Sequence, residues 1–183
     1  MRVAATAVAA LLLSFAAPAF AETPPAGTAA KAAAPADETV AAWNEAARKI
    51  VAMAEDFPEA KYDFKPTPET RSFAEQILHV AGGNVLFLDA ARTGKFKEEE
   101  PSRATYKTKA QIVAFLKKTV ADDAAYIKST NFAAPMKSPF APKMMSAMAY
   151  WYDAAGHMSE HYGQLVFYYR LNKLVPPESR PKK

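Results

Sequence analysis

Residues 143–172 read KMMSAMAYWYDAAGHMSEHYGQLVFYYRLN, and this stretch decides the fold. Met148, Trp151, Tyr152, Ala155, Leu165, Val166 and Tyr169 spread apolar surface around every face of a 3.6-residue period. A helix apolar almost all round belongs in the middle of a bundle or at a subunit contact. The spacing predicts a last helix over about Lys143 to Leu171, ended by Asn172 and the pair Pro176-Pro177. The same stretch holds His157 and His161 four residues apart, which stacks both imidazoles on one face one turn apart.

Working back along the chain, helical spacing repeats. Thr108-Lys-Ala-Gln111 is a capping box, in which each side chain satisfies the other residue's backbone N–H. It predicts a helix whose Ile112, Phe115, Leu116, Val120 and Ile127 face the core, and a loop with Pro135, Pro139 and Pro142 leads on to the last helix. Further back, Thr67 as cap and Pro68 at the first helical position predict a helix striped by Phe73, Ile77, Val80, Phe87, Leu88 and Ala91, with Gly94 as its stop. Val40, Trp43, Ala47, Ile50, Val51 and Ala54 predict a first helix ending near Pro58. Strand signals are scarce, with six glycines and no Asn-Gly or Asp-Gly turn between alternating runs. The predicted fold is all-α, a four-helix bundle, and its long third connection permits a topology other than simple up-and-down.

The N-terminus reads differently. Arg2 is followed by an uncharged apolar run from Val3 to Phe20, closing on Ala19-Phe20-Ala21, the small-x-small pattern cut by signal peptidase. Residues 1–21 are therefore expected to be a cleaved secretory signal. Their Leu-rich core is shorter than the ~20 strongly apolar residues a spanning helix needs, so no membrane span is expected after cleavage. Residues 22–37, ETPPAGTAAKAAAPAD, have no large apolar side chain and read as a flexible linker; residues 38–183 form the folded domain. The expected location is periplasmic or secreted. With no cysteine, a disulfide framework is excluded. The formal charge of +4, less Arg2, is +3, too mild to require nucleic acid as a partner, and the basic tail Arg180-Pro181-Lys182-Lys183 reads as a solvated end.

The chemical signal is histidine. The chain has three: His79, His157 and His161. A bundle brings mid-helix side chains together in its core, so His79 can join the pair. Three imidazoles with a fourth position left to water make a catalytic type of metal site rather than a closed structural one. The alternative is that each histidine is an ordinary core or surface residue. Gly82, Gly83, Gly156 and Gly163 lie near these positions, and a helical glycine, costing about 1 kcal/mol against alanine, commonly clears space. Asp153, one turn before His157 in an apolar helix, is the candidate base or orienting carboxylate; Gln164 can reach the same region, and Glu75 reads as an ordinary helix-surface acid.

Two segments in order, Phe64-Lys-Pro-Thr-Pro-Glu-Thr-Arg-Ser-Phe-Ala-Glu-Gln-Ile-Leu-His79-Val-Ala-Gly-Gly-Asn84 and His157-Met-Ser-Glu-His161-Tyr-Gly-Gln-Leu-Val-Phe-Tyr-Tyr-Arg170, resemble the metal-binding segments of the DinB-like, damage-inducible superfamily. The resemblance runs over about Val40 to Ser179. It implies a four-helix bundle with a long connection between helices two and three, and ligands at His79, His157 and His161. It also implies a divalent metal (zinc, nickel, iron or manganese) and, in many members, a homodimer. Tyr162 departs from the pattern, standing where histidine or arginine often precedes the Gly-Gln pair. Activities implied by the family are metal-dependent hydrolysis or thiol transfer on a small molecule. The thiol cofactors of the transferases are mainly cytoplasmic, which sits poorly with export, and neither export nor charge supports the DNA-repair role the family name suggests. The competing expectation is a non-catalytic metal-binding or structural dimeric bundle outside the cytoplasm.

Overall fold

The computed structural model describes residues 34–95 and 100–181. The expected signal at 1–21 and most of the linker at 22–37 lie outside the described residues. Four helices dominate: α1 (Pro35–Asp56), α2 (Phe73–Thr93), α3 (Lys109–Ser129) and α4 (Ala147–Leu171), with a short antiparallel pair β1 (Pro135–Lys137) and β2 (Met144–Ser146) between α3 and α4. This is the predicted four-helix bundle. None of the described helices is long and apolar enough to cross a membrane.

The packing order follows from cross-helix bonds. Trp43 Nε1 donates to Val120 O at 3.1 Å, and Lys117 Nζ reaches Glu55 at 2.6 Å, so α1 and α3 run antiparallel. Trp43 meets Trp151 edge to face, and Tyr169 Oη donates to Met53 O, so α1 and α4 run parallel. Asn84 bonds Thr119 and Tyr126 bonds Ala91 O, so α2 and α3 are parallel; Gln76 with Gln164 and Tyr150 with Phe87 O make α2 and α4 antiparallel. The helices therefore run up, down, down, up, as long connections permit and short ones would not. Trp43, Ile50, Phe57, Phe73, Ile77, Leu116 and Trp151 are buried between them.

Three boundaries differ from the sequence reading. α2 opens at Phe73 rather than Pro68. Ser72 caps it, accepting from Glu75 N–H, while Glu75 Oε2 accepts from Ser72 N–H at 2.7 Å. Thr67 to Thr70 instead form a turn. Phe73 and Ala74 N–H donate back to Phe64 O and Tyr62 O, which ties the incoming loop to the helix start. α4 opens at Ala147 rather than Lys143, because Met144–Ser146 pair with Pro135–Lys137 and Ser146 then caps Ala149 N–H. α1 begins at Pro35, reaching back into the predicted linker, with proline in its first turn, where a missing N–H is harmless.

Candidate metal centre

The antiparallel packing of α2 on α4 brings His79, on the second turn of α2, against His157 and His161 of α4. The ring nitrogens turn toward one another. Nε2 of His157 lies 3.0 Å from Nε2 of His161 and 3.4 Å from Nε2 of His79. One nitrogen from each of the three falls within 4.8 Å of the others. Metal–nitrogen bonds of ~2.0–2.1 Å in a tetrahedral site put ligand nitrogens about 3.3 Å apart, close to the two spacings around His157.

The far nitrogen decides the tautomer of His79, whose partner is a carboxylate. His79 Nδ1–H donates to Glu100 Oε1 at 2.6 Å, and Arg71 Nη2 donates to the same oxygen at 2.6 Å. His161 Nδ1 lies 3.1 Å from Gln164 Oε1, which can accept from it, and 2.5 Å from the Gln76 amide nitrogen, which can donate to it and also donates to Gln164 Oε1 at 2.7 Å. A proton fixed on Nδ1 leaves the Nε2 lone pair free to coordinate. His157 Nδ1 is buried with no hydrogen-bond partner among the described residues. Burial, then the neighbouring His161 and His79 and the charge of Arg71, lower the His157 pKa to about 4. Burial likewise depresses His161, against the opposing hydrogen bond from Gln164. Neutral imidazoles with converging lone pairs are what a divalent cation requires.

The DinB superfamily's sequence profile matches residues 42–165, a span that includes all three histidines. The chain belongs to the DinB superfamily. No curated protein matches it. As in the resemblance drawn from sequence, this DinB protein has a helical bundle with its three histidines brought together at one place.

Other expectations fare differently. Asp153 lies one turn before His157 but is exposed, and its carboxylate has no hydrogen bond or ion pair among the described residues. The carboxylate that does bond an imidazole is Glu100, from the loop after α2. Its sequence signal was hidden in the acidic run Glu98-Glu99-Glu100, which reads as a solvated face. Burial works against ionising Glu100, but hydrogen bonds from His79 and Arg71 prevail and hold its carboxyl below the usual range. Gln76 was also missed, though it falls on the buried side of α2 one turn before His79. Glu75 is the capping partner of Ser72, a helix-end role.

Of the glycines, Gly83 clears space for the His157 ring. A β-carbon there would sit 2.3 Å from His157 Cε1 and 2.9 Å from its Nδ1. β-Carbons at Gly156 and Gly163 would meet nothing within 4 Å, so these two do not open the site. Gly83→Ala is therefore expected to push His157 off its position and lower metal affinity at least roughly tenfold, while helix content stays unchanged because alanine favours the helix. Metal titration beside far-UV circular dichroism checks both halves; unchanged affinity would show that His157 is not held against Gly83.

Proposed function

We propose that this DinB protein is an exported metal-dependent enzyme acting on a small molecule, with His79, His157 and His161 holding one divalent cation. The observation that carries the reading is the convergence of three Nε2 atoms at 3.0 and 3.4 Å, with the opposite nitrogen of His79 and of His161 bonded to Glu100 and to Gln164. A cation bound by three protein ligands supplies an acidic bound water and a Lewis acid at the vacant coordination position. Zinc, nickel and iron suit imidazole donors, whereas manganese prefers oxygen ligands and fits three histidines least well. The reaction class proposed is hydrolysis or thiol transfer.

The chain's own residues have separable parts in this. Glu100 sets the tautomer of His79, and Gln76 and Gln164 hold the orientation of His161. Two clefts meet at Arg71: one of about 310 Å³ lined by Glu100, Lys65 and Arg103, and one of about 680 Å³ lined by Gln76, Gln164, Phe167 and Tyr168. Glu100, Gln76 and Gln164, which bond the imidazoles, line these clefts, and the histidines themselves do not. Tyr168 Oη donates to Arg71 O at 2.6 Å, which pins the residue where the clefts meet. Asp153, exposed one turn from His157, is kept as a base toward a substrate rather than as an orienting group.

Export, and the homodimer, belong to the same reading. Export rests on the segment 1–21, and dimerisation on the apolar side chains that α4 leaves exposed. Native mass spectrometry of untagged protein recovered from the periplasm or medium tests the whole. The expected species begins at Glu22 and carries one divalent metal per chain. A chain that retains residues 1–21 refutes export, and a metal-free chain after growth with metal refutes the site.

A further inference from the structure

The outward face of α4 has a symmetry that the bundle does not use. Its large exposed apolar residues are Met148, Tyr152, Phe167 and Leu171, with Tyr152 76% and Phe167 69% exposed. Between them lie Gly156 and Gly163, whose α-hydrogens face open space. These residues pair about a single point. Met148 and Leu171, Tyr152 and Phe167, and Gly156 and Gly163 are each equidistant from the Ser159–Glu160 peptide bond. At 100° per residue, Tyr152, Gly156, Ser159, Gly163 and Phe167 fall in one stripe opposite the buried Ala154, Met158, His161 and Leu165.

A two-fold interface needs a patch that is complementary to itself, so that residue i meets j and j meets i. A stripe mirrored about its own midpoint meets that condition when two copies lie antiparallel. From this, and resting on the homodimer proposed above, we infer that the second copy docks along α4, antiparallel, with the two-fold axis at Ser159–Glu160.

The parts then fall into place. Gly156 of each copy lies level with the second copy's Gly163. At the ~8 Å axis separation of close helix pairs, large side chains at those two positions would hold the helices apart, and glycine lets them close. Tyr152 packs against the second copy's Phe167 at each end. Fully exposed aromatic side chains offer roughly 150–250 Å² each, so the four large side chains supply on the order of 500 Å² of apolar area per copy. With the polar rim this approaches the ~800 Å² per partner of a stable standard interface. Charge selects the direction. Asp153 and Arg170 are both exposed, and neither side chain has a hydrogen bond or ion pair among the described residues. Antiparallel packing sets Arg170 within a turn of the second copy's Asp153, whereas parallel packing would set like beside like. Glu160 of the two copies meet near the axis, a rim repulsion that Glu160→Gln relieves.

The protein has no cysteine, so cross-linking reads the geometry without background. Ser159→Cys protein should cross-link to itself on mild oxidation, since antiparallel packing brings the two β-carbons within the ~3.5–4.5 Å that a disulfide spans. Tyr152→Cys and Phe167→Cys should cross-link when mixed but not alone, because each is about 22 Å along the axis from its own copy. Gly156→Leu should run as a monomer in sedimentation equilibrium with its metal content intact, and Glu160→Gln should tighten the dimer roughly twofold. A wild-type monomer at all concentrations overturns both the dimer and this pairing. A dimer in which Tyr152→Cys cross-links to itself, or in which Gly156→Leu remains dimeric, overturns the pairing alone.

Discussion

His161→Ala protein, incubated with metal and dialysed beside wild type, is expected to retain no stoichiometric metal. His161 is the most buried of the three histidines, and its Nε2 lies closer to His157 than His79 does, so its loss removes one corner of a preformed triangle. Two imidazoles on separate helices hold an ion poorly, and the cavity left by the ring admits water that competes for it. A native-state ligand at a hundred times its Kd stabilises by about 2.7 kcal/mol, so wild-type unfolding should shift upward with added metal and the variant's should not. The pH profile gives the same answer independently. Coordinating imidazoles must be neutral, and affinity should be lost as pH falls toward about 4, where the buried His157 takes up a proton, rather than at the 6.5 of a free imidazole. Glu100→Gln should sit between the two, losing roughly 10–100-fold in affinity because the bond to His79 Nδ1 weakens while all ligands remain. Metal content in His161→Ala equal to wild type at matched pH would leave the three histidines as packed side chains with no shared ion.

How far the sequence carries the reader depends on whether a feature is written in local spacing. The bundle was legible because α1, α3 and α4 announce themselves by apolar period, and the Thr108–Gln111 box marks the start of α3 to the residue. The start of α2 was missed because Thr67-Pro68 looks like a helix opening, yet Ser72 and Glu75 hold a better box four residues on, reinforced by bonds to Phe64 O and Tyr62 O that no local pattern records. The strand pair Pro135–Lys137 with Met144–Ser146 is three residues long and has no hairpin signature, so only tertiary packing defines it. The His157–His161 pair was readable from its spacing, and His79 joined it through family resemblance and the logic of a bundle. Glu100 was not readable, since its partner is 21 residues away across a loop. The most instructive omission is on α3. Ile112, Leu116, Thr119, Asp123 and Ile127 are its buried stripe at helical spacing, but a carboxylate beside Asp122 looks like surface in the sequence.

Asp123 is expected to give the metal-free protein a loss of stability on the alkaline side that an asparagine removes. The side chain is fully buried, and neither carboxyl oxygen has a hydrogen-bond partner among the described residues. Burial, reinforced by Asp122 and only partly opposed by Arg92, pushes its pKa up to about 9, against 3.8 for the free group. The unfolded chain therefore releases this proton above about pH 4, while the folded chain keeps it until about pH 9. Across that window the unfolded state binds fewer protons, so stability falls as pH rises, by up to about 1.4 kcal/mol per unit. The histidines act with the opposite sign. His157, with its pKa lowered from 6.5 to about 4, is neutral when folded and protonated when unfolded between those values, so it withdraws stability as pH falls below 6.5, and His161 adds to this. The two slopes oppose each other below 6.5, and Asp123 acts without that opposition above it, which predicts greatest stability near pH 6.5. Asp123→Asn keeps the shape and the acid limb but holds no ionisable proton. Its urea midpoint should stay level from pH 6.5 to 8.5, where the wild type's declines, and at pH 8 the variant should be the more stable by a few kcal/mol. Parallel declines in the two proteins, measured with a chelator present, would mean that the buried carboxyl is not what titrates.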